Sequence, residues 1–196
     1  MSAADLVSFA VPRGPRAVAE IHEEPDSGAR ITLHAFRHED GEWIASFERI
    51  LPPHTGRGRA HRHADFEQSF KVLSGRAAYR VGRTEGVLEA GEELVIPRGV
   101  AHVEPHNAFD EPLELISAAR PMRQPVLVYI RTLGNAIRRG EVNDQQEFGF
   151  LQQIAVVREC GMRTYLAGLP VWLQHYVAMP LLARLGRMRG YRASAW

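Results

Sequence analysis

Residues 91–102 read Gly91-Glu92-Glu93-Leu94-Val95-Ile96-Pro97-Arg98-Gly99-Val100-Ala101-His102, and this stretch decides the fold. Gly91 opens a turn, Leu94-Val95-Ile96 forms a short buried strand, and Pro97-Arg98-Gly99 makes a tight corner. His102 then begins the next strand. A buried strand leading through a Pro-x-Gly corner brings a distant imidazole back towards whatever lies on the neighbouring strand.

That neighbour is upstream, in Gly58-Arg59-Ala60-His61-Arg62-His63, followed by Glu67-Gln68 and Val72-Leu73-Ser74-Gly75. His61 and His63 are two residues apart, so on a strand both imidazoles leave one face. Two neutral imidazoles on one face, with a third from an adjacent strand, form a facial set for a divalent transition metal. Positions 68, 70 and 72 share a face, and Phe70 and Val72 make it the inward one. Gln68 is therefore expected inside and Glu67 outside.

At these residues the chain resembles the cupin superfamily. The first cupin motif runs His-x-His, three or four residues, Glu, six residues, Gly; the second runs Gly, five residues, Pro-x-Gly, two residues, His, three residues, Asn. The second is met through His102, with Asn107 one place late. The first is met with one substitution, because both spacings that use Gly75 and His63 land on Gln68, where the family has a metal-binding glutamate. Glu67 fits the three-residue spacing but lies one residue too far from Gly75. The resemblance covers about residues 43–119. It implies a double-stranded β-helix or jelly-roll barrel, mainly β, with metal ligands at His61, His63, Gln68 and His102.

A glutamine oxygen is neutral and ligates more weakly than a carboxylate. Glu104 shares strand parity with His102, and so does His106 unless Pro105 breaks it. Glu104 is the candidate catalytic residue, either as general base or as the carboxylate that Gln68 lacks, with a solvated rim position as the plainer alternative. Phe70, Val72, Tyr79 and His106 are the candidate substrate-binding residues. His22, His34, His38, His54 and His175 carry no comparable context, and ordinary core or surface roles are expected for them.

Outward from the motifs, strands are expected at Ala17–His22, Arg30–Phe36, Trp43–Leu51, Phe66–Leu73, Ala77–Val81, Gly86–Leu88, Leu94–Ile96 and Leu113–Ser117, punctuated by turn residues such as Pro25-Asp26-Ser27-Gly28, Glu39-Asp40-Gly41 and Ser74-Gly75. Many short strands without interleaved helices argue for an antiparallel barrel or sandwich. The grammar changes after Pro121. A barrel domain is thus read over residues 1–122, and a helical extension, packing on the barrel or on a dimer partner, over 123–196. Val126–Arg139 reads as a helix, a second is expected from an Asn143 or Asp144 cap to Glu159, and a third apolar segment runs over Val171–Leu185. Its stripe of Leu173, Tyr176, Val177, Leu181, Leu182 and Leu185 has three readings: packing, a lid on the barrel mouth, or an interfacial helix followed by Arg184, Arg187, Arg189 and Arg192.

Composition bounds the rest. With 196 residues, 24 Lys+Arg, 23 Asp+Glu and a net charge of +1, the chain suits one core and is no general polyanion binder, so a nucleic-acid partner is not expected. No helix-turn-helix pattern lies beside a basic face. Cys160 is the only cysteine, which reads as a buried small residue and fits a reducing, cytoplasmic setting. The segments after Pro170 are too short and polar to span a bilayer, which leaves peripheral contact by the basic C-terminal helix as the membrane alternative. The resemblance implies a homodimer and a mononuclear metal enzyme (iron, manganese, nickel, zinc or copper) acting on a small organic molecule, of oxygenase or isomerase type and so an oxidoreductase in the first case. The alternative is a non-catalytic binding or sensing module with a degraded metal site.

Overall fold

The computed structural model describes residues 18–34, 37–39, 42–121 and 124–193. The expected strand ends at Ala17 and at 35–36, and the turn residues Asp40 and Gly41, lie outside the described residues, as do the side chains of His38 and Trp43. Among the described residues, twelve strands form two antiparallel sheets, followed by a helical C-terminal part.

The strands are β1 (Val18–Glu23), β2 (Arg30–His34), β3 (Arg37–Glu39), β4 (Glu42–Leu51), β5 (His61–His63), β6 (Glu67–Ser74), β7 (Ala77–Val81), β8 (Thr84–Leu88), β9 (Glu93–Ile96), β10 (His102–His106), β11 (Leu113–Arg120) and β12 (Thr164–Leu166). One sheet runs β1-β2-β4-β11-β6-β9, with β3 paired to β4; the other runs β12-β5-β10-β7-β8. The helices are α1 (Gln124–Arg138), α2 (Phe150–Cys160), α3 (Val171–Leu173) and α4 (Met179–Met188), with a π turn at Gln174–Ala178 joining the last two.

Alternation builds the barrel interior. Phe70 and Val72 of β6, Leu113 and Leu115 of β11, and Leu51 of β4 turn inward to meet Ala77, Leu88 and Ile96. Phe70 is 2% exposed, and truncating so buried an aromatic ring to alanine costs about 3–5 kcal/mol. The corner at Gly75 tightens the hairpin between β6 and β7. Its φ is +77°, and a Cβ there would lie 2.5 Å from the Pro112 carbonyl oxygen, so only glycine fits. Asn107, 1% exposed, clamps the end of β10: its Nδ2 donates to the carbonyls of Leu51, Pro52 and Glu111, and its Oδ1 accepts from the Phe109 N–H.

A second core lies where helices meet sheet. Ile31, Leu33, Phe47 and Ala119 on the strands, with Ala29 just before β2, pack against Val126, Ile130, Leu133, Ile137, Ile154 and Met179 on the helices. Gly186 sets the approach of α4 to α2, since a Cβ there would meet Ala155 Cβ at 2.7 Å.

One helical expectation changes. The second helix starts at Phe150, not at Asn143 or Asp144. Asn143 Oδ1 instead accepts the N–H groups of Gln145 and Glu147, closing a local turn, and Phe148 then drops into the core with no exposure. Burial of Phe148 and pairing of Glu147 outweigh helix propensity over this segment. In the last segment α3, the π turn and α4 follow one another with unbroken helical backbone, and Pro180, which has no N–H to donate, sits just after the π turn. Of the apolar stripe there, Tyr176, Val177, Leu181 and Leu185 are exposed and Leu173 is half-buried, while Leu182 packs against the core beside Met179.

Candidate metal centre and cavity

β5 and β10 are direct neighbours, and their register places His102 opposite His61. Period-two alternation then sets His63 beside His61 and Glu104 beside His102, all on the interior face. One donor atom from each of His61, His63, His102 and Glu104 lies within 4.8 Å of the other three. His102 is 2% exposed and His63 6%.

Each ring is held from behind. His61 Nδ1–H donates to the Arg59 carbonyl at 2.8 Å, and His102 Nδ1–H to the Val100 carbonyl at 2.9 Å. His63 Nδ1 pairs with Thr164 Oγ1 at 2.9 Å. Because a carbonyl only accepts, the first two bonds fix the tautomer and turn Nε2 towards the centre. His102 Nε2 is buried without a protein partner, and His61 Nε2 stands 3.1 Å from His63 Nε2. Two imidazole nitrogens so close repel unless a proton or a cation lies between them. The three nitrogens and the carboxylate fit a divalent transition metal.

The carboxylate comes from Glu104. Its Oε1 lies 3.6 Å from His61 Nε2 and 4.0 Å from His63 Nε2. Gln68, also buried, donates from Nε2 to the same Oε1 at 2.9 Å. The glutamine amide thus orients the oxygen that the histidines face, while its own Oε1 is buried with no hydrogen-bond partner beside the cluster. Burial pushes the Glu104 carboxyl up, but the hydrogen bond and charge of His61, with His102 and His63, outweigh it and hold Glu104 well below the usual carboxylate range. Burial depresses His61, yet Glu104 raises it above its ordinary value; His63 and His102, depressed by burial and by the charge of His61, stay neutral.

A cavity of about 160 Å³ runs from His61, His63 and Glu104 to the helices. Its wall is mostly apolar, from Phe47, Phe66, Ile130, Leu133, Val157 and Met179. The polar exceptions are informative. Arg49 Nη2 donates to Glu147 Oε1 at 2.9 Å, and both groups are nearly buried. Burial raises the Glu147 carboxyl even with Arg49 beside it. Tyr129 is held protonated far above the ordinary phenol range, by burial first and by the Glu147 charge second. Arg59 lies over the Phe150 ring, 5.1 Å from its centroid.

The other expected substrate-binding residues lie elsewhere. Phe70 and Val72 belong to the barrel-interior core, with Tyr79 packed against it, and none of the three lines the cavity. His106 bonds from Nδ1 to the Glu104 carbonyl, and the register of β10 against β7 shifts between Val103 and His106, so its ring leaves the cluster. His22 and His34 are buried near Glu20 and Glu48, His54 pairs with Asp110 on the surface, and His175 bonds to Tyr165.

Thr164 belongs to β12, which follows the first two helices and pairs with β5 so that Thr164 faces His63. Nothing in the sequence marks this threonine. Arg49 was readable, since it shares the inward parity of Phe47 and Leu51.

Residues 47–119 match the family model for the cupin domain. Among solved structures, the chain is similar to KdgF from a Halomonas species (17% identity, 58% of this chain and 98% of that one, TM-score 0.46). It is also similar to an RmlC-like cupin from Shewanella frigidimarina (23%, 55% and 87%, TM-score 0.43) and to TT1209 from Thermus thermophilus (24%, 44% and 82%, TM-score 0.37). No curated protein matches the chain. With His61 and His63 on β5 beside His102 on β10 in a double-sheet barrel, residues 47–119 form a cupin domain.

Proposed function

We propose that this protein is a metal-dependent cupin enzyme acting on a small, mainly apolar organic molecule, with chemistry of oxygenase or isomerase type. The observation that carries the reading is the position of His61, His63 and Glu104 in the wall of an apolar cavity. His61, His63, His102 and Glu104 would hold a divalent transition metal, which supplies Lewis-acid or redox chemistry.

The chain's own groups prepare the site. Gln68 fixes the Glu104 carboxylate, and Arg59, Val100 and Thr164 fix the three rings. Glu104, held ionised well below the carboxylate range, is a poor proton acceptor, which favours a ligand role over that of general base. The Tyr129 hydroxyl, kept protonated, is a hydrogen-bond donor for a substrate oxygen, and the Arg49–Glu147 pair presents a fixed dipole beside it. Leu133, Val157 and Met179 exclude water.

The test loads metal-free protein with manganese, iron, cobalt, nickel, copper or zinc singly. Substrate loss and O₂ uptake are then followed against small aromatic and aliphatic alcohols, ketones and carboxylates. Turnover with at least one metal, abolished in His63→Ala, is expected. Compounds that raise the melting temperature but turn over with no metal would place the protein among binding modules instead.

A further inference from the structure

We infer that the C-terminal segment seats the protein on an anionic lipid surface. The outer face of α3, the π turn and α4 carries Trp172, Tyr176, Leu181 and Met188, which are 63%, 75%, 66% and 77% exposed, together with Val177 and Leu185. Leu181, Leu185 and Met188 recur at i, i+4 and i+7 and form one stripe, with Arg184 inside it. The opposite face is engaged: Gln174 donates to the carbonyls of Leu166 and Leu169, and Met179, Ala183 and Gly186 are buried. A helix held so firmly from behind presents its apolar stripe outward as a built surface.

Charge identifies the partner. After Glu159 the sequence holds no acidic residue, whereas Arg163, Arg184, Arg187, Arg189 and Arg192 all follow it. Arg163, Arg184, Arg187, Arg189 and Arg192 are all exposed. Glu159, the carboxylate beside this segment, accepts the Ala193 N–H. An exposed stripe of leucine, tryptophan and tyrosine with exposed arginines beside it is complementary to an acyl–headgroup boundary bearing negative lipids. A second copy is a poorer occupant. A two-fold contact sets the same patch against itself, which opposes the arginines of both copies with no carboxylate in the segment to neutralise them. Among the described residues no helix is long and apolar enough to cross a membrane, so the contact is interfacial. The inner face of the same helices lines the cavity through Ala178, Met179 and Leu182, so a docked protein holds the roof of its cavity against the bilayer.

The test is flotation of the full-length protein with vesicles of phosphatidylcholine alone, or of equal parts phosphatidylcholine and phosphatidylglycerol. The protein is expected to float with the anionic vesicles, to stay behind with the neutral ones, and to release in about 0.5 M salt, where the screening length falls to a few ångströms. Each arginine near the surface is worth about 1 kcal/mol, roughly fivefold in partition, so R184Q/R187Q/R189Q should bind about a hundredfold more weakly. Leu181→Ser should weaken binding further. Because these positions are exposed, unchanged circular dichroism is the fold control. Failure of the unaltered protein to float with anionic vesicles overturns the inference whatever the variants do. So does equal binding to neutral vesicles, or a monomer–dimer equilibrium that Leu181→Ser abolishes in a protein that never floats.

Discussion

Replacing Glu104 by glutamine keeps the shape of the side chain and removes its charge, so the change isolates what the carboxylate does. In the structure Oε1 lies 3.6 Å from His61 Nε2, and two unit charges at that distance interact by about 4–5 kcal/mol at an effective dielectric near 20. If the amide oxygen keeps about half of that attraction for a cation at the same place, the loss is about 2 kcal/mol, roughly a thirtyfold weaker dissociation constant. The new amide nitrogen also competes by donating to the histidine Nε2 atoms. The assay is competition for cobalt(II) or zinc against a chromophoric chelator, run beside Gln68→Ala and Gln68→Glu. Gln68→Ala should cost less than Glu104→Gln, because Gln68 acts by orienting the carboxylate. Gln68→Glu should bring little gain, since it sets a second negative charge where the amide nitrogen now donates to Glu104 at 2.9 Å. A Glu104→Gln protein binding within twofold of the parent, or a larger loss in Gln68→Ala, would refute the assignment.

Three further outcomes are expected. Thr164→Val removes the partner of His63 Nδ1 and should weaken metal binding about 10–100-fold while leaving the barrel folded, read by the same competition. Arg49→Met leaves Glu147 buried and unpaired and should cost about 3–5 kcal/mol in urea denaturation, whereas the double change to methionine at both positions should recover much of it; equal losses would show that the pair itself stabilises. Metal binding should tighten as pH rises through the raised value of His61, which carries the proton that the cation displaces, with close to one proton released by calorimetry in buffers of different ionisation enthalpy. In the metal-free protein the same pair gives opposite slopes. The Glu104 contribution to stability is lost as pH falls through its depressed value, and the His61 contribution is lost as pH rises through its raised one.

The barrel was legible in the sequence because its signals are local. Turn glycines such as Gly75, the Pro97-Arg98-Gly99 corner and strict alternation in 68, 70 and 72 each state a backbone requirement within a few residues. Strand parity likewise placed His61 with His63, and His102 with Glu104. The division of labour between Gln68 and Glu104 was left open, since motif spacing points to the first and strand parity to the second, and the structure joins the two by a hydrogen bond across strands. The cavity was not legible. Its wall is made by α1, α2 and α4 folding back over Phe47 and Arg49, and no pattern in Val126, Leu133 or Met179 says which strands they will meet. For the same reason Phe70, Val72 and Tyr79 looked like cavity residues: inward parity tells a core position from a surface one, not a packed interior from an open one. The 143–149 segment misled through Asn143, whose side chain serves a turn as readily as a helix cap.

The central claim is a metal held by His61, His63, His102 and Glu104, and metal content tests it most directly. Protein freed of metal, reconstituted singly with manganese, iron, cobalt, nickel, copper or zinc, and desalted should retain one ion per chain for at least one of them by mass spectrometry, with retention lost in a His63→Ala/His102→Ala double variant. Retention near zero for every metal, or stoichiometric retention that survives the loss of both histidines, would contradict the account.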